Sequence, residues 1–411
     1  MQGGQPNSRC SSRANGLPRL PDRVPCPSWR RKGGVGVARF IGSEIYRRST
    51  YGAAHPLAIP RVSTVIDLAR ALGWLPAGTY LTAPRARPAA LTAFHTPDYV
   101  AALMRAEAEG AVDPETRARH GLGTTANPVF PEMFRRPATG AGGALLAAEM
   151  VLSGAVVHVP GAGTHHALAD RANGFCYLND VVLALMHLRR LGLRRLAYVD
   201  IDAHHCDGVE AAFAGDRDLL MISVHEERRW PFTGALAEDA GGNALNLPVP
   251  AGFNDTEMAA ARDRLILPAL ERFRPEAIVL QCGADAVSED PLSRLTLSNG
   301  AHAAVVRALK GQTDRLIVTG GGGYNPWSVA RCWTRVWAEI AGHEGPDRLE
   351  GEARDVLAAL RWPGRAAGRN PPAAWSDTLA DPPREGPLRP EVAARIDALR
   401  DRLVSLGGSG G

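Results

Sequence analysis

The densest chemistry in the chain lies between residues 200 and 208, where Asp200, Asp202, His204, His205, Cys206 and Asp207 crowd one short stretch. In extended backbone, side chains at i, i+2 and i+4 face one way, so Asp200, Asp202 and His204 share a face. Carboxylate and imidazole two residues apart suit a divalent metal of borderline ligand preference. Asp285, in Cys282-Gly283-Ala284-Asp285, can supply a third ligand. Two aspartates and one histidine leave coordination positions open, as a catalytic metal requires. Helix N-caps would account for one such aspartate, but not for six titratable groups in this stretch.

Two further clusters extend this chemistry. His165-His166 follow Pro160-Gly161-Ala162-Gly163-Thr164, while Asp200 and Asp207 flank the proposed ligands. A carboxylate bonded to an imidazole fixes its tautomer and raises its basicity, so two His–Asp dyads beside a metal supply a general base and an electrostatic partner. The run Gly320-Gly321-Gly322-Gly323-Tyr324 lacks the Lys-Ser/Thr of a phosphate loop and the GxGxxG spacing. It fits better as free backbone that aims Tyr324, whose hydroxyl can donate to a developing oxyanion.

These clusters need a scaffold that gathers them. Each follows a short apolar run that reads as a buried parallel strand: Ala155–Val159, Leu196–Ile201, Ala277–Gln281 and Leu316–Thr319. Helical patterns such as Leu178–Leu191 and Glu257–Phe273 lie between them, which predicts a doubly wound α/β domain. In open α/β sheets, ligands bind beyond the carboxyl ends of the strands, where all four clusters fall. The 411 residues, 45% hydrophobic and 22% charged, exclude full-length disorder and a small disulfide scaffold. No run of 18 apolar residues suggests a membrane span.

Residues 1–40 hold eight basic groups against Asp22 alone, whereas the remainder is nearly neutral and offers no nucleic-acid surface. Residues 1–36, rich in Arg, Pro, Gly and Ser, read as a disordered tail, with a transit peptide as the alternative. The domain is expected over residues 37–345. Residues 346–411 read as a partly disordered extension that packs weakly or not at all, with an amphipathic segment at Pro390–Leu406. Six cysteines without a CxxC pair suit a reducing compartment, hence the cytoplasm.

Taken in order, Phe94-His95-Thr96, Gly121-Leu122-Gly123, the His pair, Gly174-Phe175-Cys176-Tyr177-Leu178-Asn179-Asp180, Asp200 to Gly208, Gly283-Ala284-Asp285 and Gly320 to Asn325 resemble the histone deacetylase superfamily. Within it, the resemblance is to bacterial acetoin-utilisation and deacetylase-like proteins. It implies an arginase/deacetylase-like three-layer α/β fold with a central, mostly parallel sheet. It also implies a zinc-dependent amidohydrolase, with iron(II) as the other candidate metal.

By matching motif, Asp202, His204 and Asp285 would bind the metal. His166 with Asp207 would be the main general base and acid, His165 with Asp200 would tune it, and Tyr324 would polarise the acyl carbonyl. Phe175, Trp230 and Leu292 would wall an acyl-lysine tunnel, with the Gly174 carbonyl facing the substrate amide. A structural potassium would sit near Asp200, Asp202, His204, Ser223 and Val224. Arg61 matches the arginine of an internal channel. The implied substrate is an acetylated protein or a small acetylated amine.

Three features depart from the family pattern. Thr125-Ala126-Asn127-Pro128 replaces a Glu-Asp-x-Pro stretch whose aspartate grips the substrate backbone at the rim. Trp230-Pro231-Phe232-Thr233-Gly234 stands where Phe-Pro-Gly-Thr-Gly is usual, and Cys206 replaces a common glycine. A two-metal ureohydrolase would need Asp-x-His-x-Asp and a second Asp-x-Asp, but here Asp207 comes one residue late and Asp285 stands alone. A binding module would be expected to lack a ligand or the tyrosine, and neither is lost. Glu226 and Glu227 could make an acidic entrance for an acetylpolyamine, but Arg228 and Arg229 follow at once and roughly cancel them.

Overall fold

The computed structural model describes residues 36–363 and 365–405. The expected tail over residues 1–36 lies, apart from Gly36, outside the described residues. Eight strands form one sheet: β1 (Val37–Gly42), β2 (Tyr80–Thr82), β3 (Ala155–Val159), β4 (Leu196–Asp200), β5 (Leu219–Glu226), β6 (Ala244–Val249), β7 (Ala277–Gln281) and β8 (Leu316–Thr319). Their spatial order is β2-β1-β3-β8-β7-β4-β5-β6, and every neighbouring pair runs parallel. The fold is thus α/β with an all-parallel sheet.

The four strands expected from the sequence are the four adjacent central ones. Alternate residues along them feed two cores. Val156, Leu316, Val318, Ile278, Leu280, Ala197 and Val199 meet the helices Val62–Ala71, Asn299–Lys310 and Pro326–Ala341 on one face. Val157, Val159, Ile317, Val279, Leu196 and Tyr198 meet Arg135–Val151 and Asp180–Arg190 on the other. A sheet covered on both faces asks for strands that are apolar throughout, which is why these four stand out in the sequence.

The expected helix Glu257–Phe273 is broken. It runs as Asp255–Ala261, a π-helical turn Arg262–Ile266, and Leu267–Phe273. Pro268 has no N–H to donate to the preceding turn, and the π turn absorbs that break. An Asn254/Glu257 capping box starts the helix.

The segment after residue 345 does not pack weakly, as expected, but joins the first core. Leu349, Leu357, Trp375 and Leu379 are buried there, followed by Val392, Ile396 and Leu399 of the helix Pro390–Ser405. Its arginines take carboxylates of the domain. Arg389 bonds the fully buried Glu257 at 2.7 Å, and Asp381 answers the buried Arg331 at 2.7 Å. The Pro- and Arg-rich composition hid this packing, because Arg384, Arg389 and Arg395 pair with Glu289, Glu257 and Glu227 of the domain while most other arginines of the segment stay exposed.

Register explains why the chemistry collects. Val159 pairs with Thr319, Leu280 with Val318, and Asp200 with both Gln281 and Ser223. The four strand ends are therefore level, and their loops leave from one edge of the sheet.

Candidate active site

β4 ends at Asp200, and the chain then turns. Asp202 and His204 face Asp285 from the 3-10 turn Ala284–Ala286. One ligand atom from each of these three residues lies within 4.8 Å of the others, and all three residues are buried. His204 Nδ1 stands 2.9 Å from Asp285 Oδ2 and 3.4 Å from Asp202 Oδ1. Glycines make room for this approach. A β-carbon added at Gly322 would lie 2.0 Å from Asp285 Oδ2, and one at Gly283 would lie 2.0 Å from Asp202 Oδ2.

Asp200 does not join the ligand group, although the extended pattern put it on the same face as Asp202 and His204. Its Oδ2 accepts from His165 Nδ1 at 2.8 Å and from the Tyr198 hydroxyl at 2.5 Å. The second dyad is His166 Nδ1–H to Asp207 Oδ1 at 2.6 Å, with Asn173 Nδ2 donating to Asp207 Oδ2 at 3.0 Å. Ser223 and Val224 lie on β5, where Ser223 sits in register beside Asp200.

These groups open into a pocket of about 860 Å³, whose lining includes His166, His204, Tyr324, Gly174, Phe175, Trp230 and Leu292. Phe175 has φ 68° and is held on both sides. Its N–H donates to Asn127 Oδ1 at 3.0 Å and its carbonyl accepts from the Tyr51 hydroxyl at 3.1 Å. Its ring meets Tyr324 edge-on at 5.9 Å, and Trp230 meets His166 at 4.6 Å. Asp290 Oδ2 accepts the Tyr324 N–H at 2.7 Å, and Arg61 donates to the Gly321 carbonyl at 2.7 Å just before it.

A profile of the histone deacetylase domain matches residues 55–340. The chain belongs to the histone deacetylase family. It is 32% identical to the acetoin utilization protein AcuC of Bacillus subtilis over 375 residues, 87% of this chain and 94% of that protein. It is 34% identical to putative histone deacetylase 2 of Caenorhabditis elegans, covering 73% of this chain and 61% of that one. Crystal structures of an HDAC homolog, one complexed with SAHA and one from Aquifex aeolicus, superpose with a TM-score of 0.83 at 35% identity. They cover 89% of this chain and 100% of theirs.

The donor set of this family member fits a divalent cation. Burial alone would strip His204 of its proton, yet Asp202 and Asp285 outweigh it and lift the imidazole to about 10. Burial and then the Asp202 charge push Asp285 up to about 6. Two buried carboxylates at this spacing call for positive charge between them, and a proton supplies less of it than a metal ion. Among the described residues no further His, Cys, Asp or Glu joins the group, which leaves a single metal position.

The two histidines diverge. Burial works against charge on His165, but Asp200 overcomes it and lifts the ring to about 9. Burial, reinforced by the charge on His165, lowers His166 to about 4 despite Asp207. Tyr324 is pushed well above its usual value, first by burial and then by Asp285, so its phenol keeps its proton. Cys206 is buried and its thiol is likewise raised by burial.

Sequence reasoning missed Tyr198, Asn127, Asn173 and Asp290. Tyr198 had a signal, because it lies two residues before Asp200 on the same strand face. Asp290 had none, since its role depends on a loop returning beneath Tyr324.

Proposed function

We propose that the chain hydrolyses the amide of an acetyl-lysine side chain, giving acetate and free amine. The observation that carries this reading is that His166, His204 and Tyr324 line one pocket, over a buried Asp202–His204–Asp285 set. Those three residues would hold zinc, or iron(II), and the ion supplies Lewis-acid polarisation of the acyl carbonyl and acidification of a water.

The protein's own groups do the rest. The pocket between Phe175 and Trp230 holds the acyl-lysine stem and excludes water. With Nδ1 committed to Asp207, neutral His166 takes a water proton at Nε2 and later gives one to the leaving amine nitrogen. The attacking oxygen adds to the acyl carbon, the C–N bond breaks as the nitrogen takes the proton from His166 and leaves as the amine, and the second water proton passes to solvent as acetate is released. The Tyr324 hydroxyl donates to the carbonyl oxygen as negative charge grows there. His165, bonded to Asp200, holds positive charge beside the site. Ser223 and Val224, next to Asp200 on β5, would help hold a structural potassium. The cytoplasm is the expected compartment.

The test sets an acetyl-lysine peptide beside an acetylpolyamine, with zinc-loaded protein and His166→Ala as the blank. Cleavage of the peptide supports the reading. Cleavage of the polyamine alone replaces it with a small-molecule amidohydrolase.

A further inference from the structure

We infer that the mouth of the pocket selects acetyl-lysine flanked by acidic residues, through Arg171 and Arg228. This inference rests on the acetyl-lysine reading and goes beyond it to the chemistry of the surrounding peptide. Three arginines, Arg171, Arg228 and Arg229, line the pocket, and no aspartate or glutamate does.

Of the acids that the sequence puts nearby, Asp170 is exposed beside Arg171 but does not line the pocket, and the other four are engaged elsewhere. Glu226 is buried; it accepts two bonds from Arg229, at 2.5 and 2.8 Å, and a third from the Arg294 N–H at 2.8 Å. Glu227 is taken by Arg395 of the last helix at 2.9 Å. Glu289 faces Arg384 at 2.5 Å, and Asp290 is bound to the backbone of Leu292 and Tyr324. The near-cancellation of charge read from the sequence therefore does not hold in space. Arg229 is neutralised, whereas Arg171 and Arg228 are exposed and form no ion pair among the described residues.

Ala126 also lines the pocket, so the position matching the rim aspartate adds no negative charge. Guanidinium forks at an open rim favour carboxylates, which they can bind through two parallel bonds. The same field repels the ammonium groups of an acetylpolyamine. Trp230, 36% exposed, and Phe232, 74% exposed, give the flanking side chains an apolar shelf between the charges.

The experiment compares three acetyl-lysine peptides, flanked by aspartates, serines or arginines, together with N-acetylspermidine, on the zinc-loaded full chain. The aspartate peptide should exceed the arginine peptide about tenfold in kcat/KM at low salt, mainly through KM. The ratio should shrink as salt screens the rim. Arg171→Glu with Arg228→Glu should reverse the order. Fluorescence anisotropy with labelled peptides and His166→Ala protein reads the same preference as affinity.

If the aspartate peptide binds best but no acetyl-lysine peptide is cleaved, the acetyl-lysine reading fails and the charge assignment stands. Equal binding of all three peptides, an order unmoved by the double reversal, or better turnover of N-acetylspermidine overturns the inference.

Discussion

The floor and the mouth of this pocket are built on opposite terms. At the floor, Asp200, Asp202, Asp207, Asp285 and both histidines are each within bonding distance of a polar partner, and the site hangs on the level ends of β3, β8, β7 and β4. At the mouth, loops carry exposed aromatics and two unpaired arginines. Floor side chains are fixed by several neighbours at once, so a change there disturbs the chemistry itself. Mouth side chains are fixed by few, so a change there alters which substrate is held.

The strongest way to break this contrast is to crowd the floor without altering a ligand. Gly322→Ala puts a β-carbon against Asp285 Oδ2. Bound metal and activity should both fall to background, as read by metal analysis after dialysis. Retained stoichiometric metal would show that the floor yields as easily as the mouth. His166→Ala comes next. It should keep its metal and lose about 10²–10⁴-fold in kcat, the usual worth of a positioned base. Tyr324→Phe should also act mainly on kcat, and a wild-type kcat would remove its role.

The floor should also set the acid limit of the fold. His95 accepts the Asn179 N–H at 2.9 Å, and Asn179 in turn donates to the carbonyls of His165 and Ala167. Burial lowers His95 to about 4, and it lowers His158, beneath the sheet ends, to about 4 as well. Both folded values lie below the ordinary 6.5, so the unfolded chain binds their protons first. Their contribution is complete above pH 6.5 and is lost as pH falls towards 4, on the order of 3 kcal/mol each. Urea unfolding of chelator-treated protein checks this, and a flat stability across that window would contradict it.

The smallest effect belongs to the mouth. Arg395→Ala releases Glu227 and should shift peptide KM by about two- to fivefold with kcat preserved, the scale of one half-exposed ion pair. An equal fall in kcat would tie the rim to the chemistry and erase the contrast.

The same division governs what the sequence reveals. β3, β7 and β8 are legible to the residue, and β4 to within one, because burial on both faces leaves a mainly apolar run, with His158 the one polar residue inside β3. β5 and β6 were missed because Ser223, His225, Glu226 and Asn246 are buried polar residues within them, and β2 because it has only three residues. The metal set was legible because its members lie close in sequence or end a recognisable strand. The partners of Arg229 and Arg395 were not, since a row of residues gives charges but not their facing. Glu226 and Glu227 looked available at the rim, yet one points inward and the other is held from a helix about 170 positions later.

The helix Pro390–Ser405 has a consequence in time. Besides Arg395, it sends Arg402 to the Leu236 carbonyl at 2.8 Å, so it ties down both ends of the segment that carries Arg228, Trp230 and Phe232. It follows all eight strands in chain order. During synthesis from the N-terminus, the strand-end loops therefore emerge before the helix that adds the ties at Glu227 and Leu236.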